Sequence, residues 1–299
     1  MTAAEIGFRK RLAAQQISKE TLVCVGLDPM PEKLPVCFST SSNQLLAQKV
    51  ATWMKDIVFV TAHFGCMFKL QSAHWEAIPG GREAMQEVIQ FIKKEFPYMP
   101  VFLDCKRGDI GRTQERYRVA HFNLDGVDGM NFSPYMGKDC MEFLVDKSYP
   151  GRAIVGLCYT SNPSAREVQN LLIDNRMPLW EVIAIMTFQW AKDLGILENA
   201  GLVMAAAYEE PKGSGHIYDR HLIRCREIVG DKLWFLIPGI GNQGGFIEQT
   251  VKAAYIGPGS IAINSSSDII FASTGEDYAQ AAVNKAKALR DAIRATMPK

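Results

Sequence analysis

Phe102-Leu103-Asp104-Cys105-Lys106-Arg107-Gly108-Asp109-Ile110 changes character three times within a few residues. An apolar run that begins at Val101 gives way to closely spaced acids and bases. A glycine then breaks the chain, and Asp109-Ile110 leads into an amphipathic segment. A buried strand with a charged end, a turn and a helix start are the parts of one βα unit. Seven further apolar runs repeat the theme: Val23–Leu27, Cys66–Leu70, Val127–Phe132, Ala153–Cys158, Leu202–Ala207, Trp234–Ile237 and Ile261–Asn264. Parallel strands buried on both faces read as continuous apolar runs, as most of these do. Helix-like segments separate them at 44–60, 81–95, 113–122, 139–147, 164–194, 217–229, 245–254 and 276–296. The long fifth interval is expected to hold two helices with a break near Met177-Pro178. The pattern predicts an α/β protein in which residues 1–299 form a single (β/α)8 TIM barrel.

The bulk properties agree with that reading. A chain of 299 residues, 47% hydrophobic and 22% charged, can bury a large core without disulfides or metals. A net charge of +1 gives no reason to expect nucleic acid or an anionic membrane surface as partner. The seven cysteines have no CxxC spacing and several sit inside apolar runs, as buried thiols of a reducing compartment would. The N-terminus lacks a signal-peptide core, and no apolar stretch is long enough to span a membrane. A cytoplasmic location is the expectation.

Polar residues gather where the apolar runs end: Asp28-Pro29, Lys69, Asp104 to Asp109, Ser133, Thr160-Ser161, Gln243 and Ser265 to Asp268. In a barrel these are the C-terminal strand ends, where active sites form. Side chains two apart on a strand share a face, so Asp104 and Lys106 are expected to point the same way. Lys69 closes an apolar run, where an unpaired ammonium would be costly, and Asp104 is its obvious partner. The plainer alternative is an ion pair that only closes a strand end.

Asp104-x-Lys106-x-x-Asp109-Ile110 resembles the signature of the orotidine 5′-phosphate decarboxylases. Lys106-Arg-Gly-Asp-Ile-Gly-Arg-Thr113 is similar to the variant in the longer bacterial-type branch of that family. Val25-Gly-Leu-Asp-Pro29 resembles the family's first strand and Phe68-Lys-Leu-Gln71 its second. Tyr159-Thr-Ser-Asn-Pro163 resembles the fifth, and Pro238-Gly-Ile-Gly-Asn-Gln-Gly-Gly245 the phosphate loop after the seventh. The resemblance implies decarboxylation of orotidine 5′-phosphate to UMP, the last step of de novo pyrimidine nucleotide synthesis, without metal or organic cofactor. It implies a catalytic array of Lys69, Asp104, Lys106 and Asp109. It further implies a homodimer with shared active sites, Asp109, Ile110 and Thr113 reaching the partner's pocket. Asp28 would hold the ribose hydroxyls and Ser133 the pyrimidine. Gln243, Gly244 and Gly245 would cradle the phosphate, a task suited to exposed backbone N–H groups ahead of a helix.

The chemistry asks for these residue types. Loss of CO2 from C6 leaves a carbanion with no electron sink, so the site must stabilise localised negative charge and then supply a proton. A lysine such as Lys106 can do both. An aspartate beside the substrate carboxylate is a like-charge contact relieved as CO2 leaves. Unit charges about 4 Å apart interact by roughly 4 kcal/mol at an effective dielectric near 20. Such destabilisation helps only if binding elsewhere on the substrate offsets it.

One segment departs from the family pattern. After the eighth strand an arginine is expected in the phosphate grip, but the chain reads Asn264-Ser265-Ser266-Ser267-Asp268, placing Ser267 there. Asp268 would repel a phosphate dianion and is expected to face solvent. The His216–His221 spacing lacks accompanying cysteines, and the five histidines are expected in structural or surface roles. Three rival readings remain: a magnesium-dependent sugar-phosphate lyase or isomerase, a Schiff-base aldolase, and a nucleotide-binding barrel without activity.

Overall fold

The computed structural model describes residues 6–39, 45–173, 176–240 and 246–298. Eight strands form its centre: β1 Val23–Leu27, β2 Met67–Gln71, β3 Val101–Arg107, β4 Gly129–Phe132, β5 Ala153–Tyr159, β6 Ala200–Met204, β7 Trp234–Ile237 and β8 Ile261–Ser265. Each pairs in parallel with its neighbours in sequence, and β8 pairs with β1 to close the barrel. The eight expected runs are these eight strands, with ends moved by up to a few residues.

Period-two alternation sorts the side chains. Cys24, Met67, Phe102, Val155, Val203, Leu236 and Ala262 fill the interior of the barrel. Val23, Val25, Phe68, Leu70 and Leu103 point outward against the helices. Helix Gly81–Glu95 shows why those helices dock: Met85, Val88, Ile89 and Ile92 recur at helical spacing and are all buried. The fifth interval breaks as expected, into Ala165–Gln169 and Leu179–Asp193, around a short antiparallel pairing of Leu172–Ile173 with Met177–Pro178.

The amphipathic N-terminal segment has a role its sequence did not reveal. Helix Phe8–Lys19 closes the floor of the barrel, with Phe8 stacked 5.2 Å from Trp234 and edge-on to Phe102. The Gln16 side chain donates to the Ile261 carbonyl and accepts from the Gly259 N–H, at 2.7 and 2.6 Å. With the floor shut by aromatic rings, the barrel interior opens at its C-terminal mouth.

Candidate active site

The inner-face alternation that begins at Met67 places Lys69 and Gln71 higher on β2, and the same period brings Asp104 above Phe102 on β3. Asp28 follows the end of β1. Lys69 Nζ donates to both Asp28 carboxylate oxygens at 3.1 Å and lies 3.7 Å from Asp104 Oδ2. Lys106 Nζ donates to Asp104 Oδ1 at 2.6 Å. Acid and base therefore alternate across three strands, from Asp28 through Lys69 and Asp104 to Lys106.

Lys69 is only 4% exposed, and Lys106 is 46% exposed. Burial is the largest influence on Lys69 and would discharge it, but Asp28 and Asp104 together outweigh it and hold the ammonium above its usual range. Burial likewise works to protonate Asp104. Lys69, Lys106 and the hydrogen bonds from Lys106 and Asn131 win, and the carboxyl stays below the usual range. The inner lysine is a fixed cation, while the outer one is open to solvent.

Asp104 and Lys106 do meet, although not along a regular strand. Register with β4 slips between Leu103 and Arg107, and Lys106 has φ +48°. Plain alternation was the wrong route to the right pair. A bulge turns the Lys106 backbone so that its side chain folds back onto Asp104.

These side chains line a cavity of about 800 Å³ at the mouth, together with Asn131, Ser133, Ser265, Ser266, Ser267 and Asp268. Ser133 stands where expected, its N–H donating to the Arg107 carbonyl at 2.7 Å. Asp268 is among the residues that line the cavity, and it is partly exposed. Ile269 and Ile270 bury themselves in the core and fix the short helix Ser267–Ile270, which leaves Ser267 and Asp268 toward the cavity. Gln243, Gly244 and Gly245 lie outside the described residues, while Pro238, Gly239 and Ile240 border the cavity.

Asp109, Ile110 and Thr113 do not line their own chain's cavity. Asp109 accepts from the Ile110 N–H at 2.8 Å, and its own N–H donates to Gln114 at 3.2 Å. Ile110 is 50% exposed.

Two groups had gone unrecognised in the sequence. Asn131 is buried beside Asp104. His121 accepts from Arg107 Nε at 3.2 Å and donates through Nδ1 to Asp125 at 2.8 Å, and Arg107 also pairs with Glu76. His221 is buried against Tyr159, Tyr208 and Tyr218, and burial lowers its pKa to about 4, a structural role in keeping with expectation.

The sequence profile of the orotidine 5′-phosphate decarboxylase / HUMPS family matches residues 21–282. The chain belongs to that family. It is 37% identical over 287 residues to the orotidine 5′-phosphate decarboxylase of Cupriavidus necator, an alignment covering 96% of this chain and 97% of the other. It is 38% identical over 289 residues to the enzyme of that name from Ralstonia nicotianae, with 96% and 97% covered. Among solved structures it resembles the OMP decarboxylase of Leishmania donovani, with TM-score 0.74, 28% identity, and 97% and 98% of the two chains covered. The family's barrel and the alternating charges at this mouth thus coincide in one chain.

Proposed function

We propose that this protein decarboxylates orotidine 5′-phosphate to UMP, the last step of de novo pyrimidine nucleotide synthesis, with Lys69, Asp104, Lys106 and Asp109 as its catalytic side chains. The observation that carries this reading is the Asp28–Lys69–Asp104–Lys106 chain at the mouth of the closed barrel. Asp104, kept ionised, stands against the substrate carboxylate. Lys106 Nζ, partly open to the cavity, stabilises charge developing at C6 and gives its proton there once CO2 has left. Asp28 and Lys69 hold the ribose hydroxyls, Ser133 the pyrimidine, and Gln243, Gly244, Gly245 and Ser267 the phosphate.

The functional unit is a homodimer in which Asp109, Ile110 and Thr113 complete the partner's site. Their outward placement and the exposure of Ile110 support this assembly. No helix among the described residues is long and apolar enough to cross a membrane, in keeping with a cytoplasmic enzyme.

Asp28 and Asp104 each face a lysine ammonium group, which leaves them poorly disposed as a metal-binding pair. Nor does a lysine held charged by carboxylates suit amine nucleophilic chemistry. Purified protein treated with EDTA is expected to release CO2 from orotidine 5′-phosphate and form UMP at an unchanged rate. Activity abolished by EDTA and restored by magnesium would transfer the reading to a metal-assisted sugar-phosphate reaction.

A further inference from the structure

The outer lysine of the array occupies an expensive backbone conformation. Lys106 has φ +48°, a region where a residue with a Cβ costs about 1–3 kcal/mol, so the surroundings must enforce it. The register slip on β3 leaves the Cys105 and Lys106 N–H groups without a regular ladder to β4. Both instead donate to one acceptor, Asn131 Oδ1, at 2.9 and 2.7 Å. The other end of the same amide, Nδ2, donates to Asp104 Oδ1 at 2.6 Å, the oxygen that also receives Lys106 Nζ. Asn131 is 1% exposed and its neighbours in β4 are buried, so its amide has little room to turn.

We infer that Asn131 is a positioning residue of the decarboxylation, one amide that both clamps the Lys106 backbone in its left-handed turn and orients the Asp104 carboxylate. The inference rests on the proposed function, since it presumes that Asp104 and Lys106 do the chemistry. Only an amide serves both ends with a single side chain: its oxygen takes two backbone donors while its nitrogen gives to a carboxylate. A hydroxyl has one proton and a shorter reach, and a carboxylate has no proton for Asp104. The clamp fixes where the proton donor stands relative to the anion beside it, so its loss acts on turnover and not on grip of the nucleotide.

The charged groups facing Asp104 are Lys69 from β2 and Lys106 from β3, with Asp28 beyond Lys69 at the end of β1. Asn131 contributes the one neutral donor from β4. Asn131→Asp keeps an acceptor for the two backbone N–H groups and sets a second carboxyl against Asp104. Two carboxylates at that separation cannot both stay ionised, so the apparent pKa of the pair rises. The active, ionised form of Asp104 is then lost at a higher pH as the solution is acidified.

The test measures kcat, KM and the pH profile of CO2 release for wild type, Asn131→Ala and Asn131→Asp. Both variants are expected to lose about 10- to 100-fold in kcat, the effect of one hydrogen bond to a charged group, with KM within about threefold of wild type. The acid limb of kcat/KM moves to higher pH in both, further in Asn131→Asp. If Asn131→Ala fails to fold, the isosteric Asn131→Asp decides alone. A wild-type kcat and acid limb in Asn131→Asp, or a loss confined to KM, overturns the positioning role. A wild-type protein that releases no CO2 from orotidine 5′-phosphate overturns the functional reading first, so the two failures are told apart.

Discussion

On the β1–β3 side of the cavity, four charged side chains lie within ion-pairing reach of one another. The β7–β8 side offers serine hydroxyls, backbone and the Asp268 carboxylate. Lys69 and Lys106 are the only cations among the described lining residues, and both are engaged by acids at the first side. The difference separates two kinds of electrostatic work. The charged side is arranged before substrate arrives, each ion held by its neighbours, so little reorganisation is needed during reaction. The hydroxyl side has no ammonium or guanidinium among its described lining residues.

The contrast is tested hardest by removing the outer cation. Lys106→Ala is expected to reduce kcat by at least the roughly 10²–10³-fold seen when one transition-state stabiliser is lost, and by more because the proton donor goes with it. The fold should survive, because a partly exposed strand-end side chain contributes little core area, and a wild-type-like melting temperature would show this. Turnover within tenfold of wild type would remove Lys106 as proton donor.

The proposed sharing of the charged side between subunits is expected to give the next largest effect. Lys106→Ala and Asp109→Ala proteins, each inactive, are mixed under conditions that exchange subunits. One site of each heterodimer then carries both lesions and the other carries none, so activity should return toward about a quarter of the wild-type value, the statistical share of intact sites at full exchange. Absence of recovery, with exchange verified by mass, would confine Asp109 to its own chain.

The smallest expected change lies at the other side of the cavity. Ser267→Arg supplies a charge-assisted partner for the phosphate and should tighten UMP binding about tenfold, equivalent to roughly 1.4 kcal/mol. Ser267 is exposed, so the longer side chain has room. The gain should shrink for orotidine, which has no phosphate. Weaker UMP binding in this variant would mean that the hydroxyl side already holds the dianion without help.

The sequence made the charged side far more legible than the hydroxyl side, for physical reasons. A strand buried on both faces must be apolar, so a lysine or aspartate on its inner row stands out, and Lys69 and Asp104 were found that way. The partners that arrange them are less conspicuous. Asn131 lies in a run that reads as plain strand, and nothing local shows that its amide spans a bulge on the neighbouring strand. The left-handed turn at Lys106 is equally silent, since non-glycine residues reach it only when tertiary contacts insist. Asp268 borders the cavity because the two buried isoleucines beside it fix the short helix that carries it.

The floor of the barrel sets a condition on how the molecule can be made. Its first helix, Phe8–Lys19, is held in part by Trp234, Gly259 and Ile261, residues from the last third of the chain. Synthesis must therefore run past residue 261 before Gln16 has its carbonyl or Phe8 its stacking partner. Through most of translation the helix that seals the barrel has nothing to seal, and the apolar face carrying Phe8 and Leu12 must be kept from other partners until the seventh and eighth strands arrive.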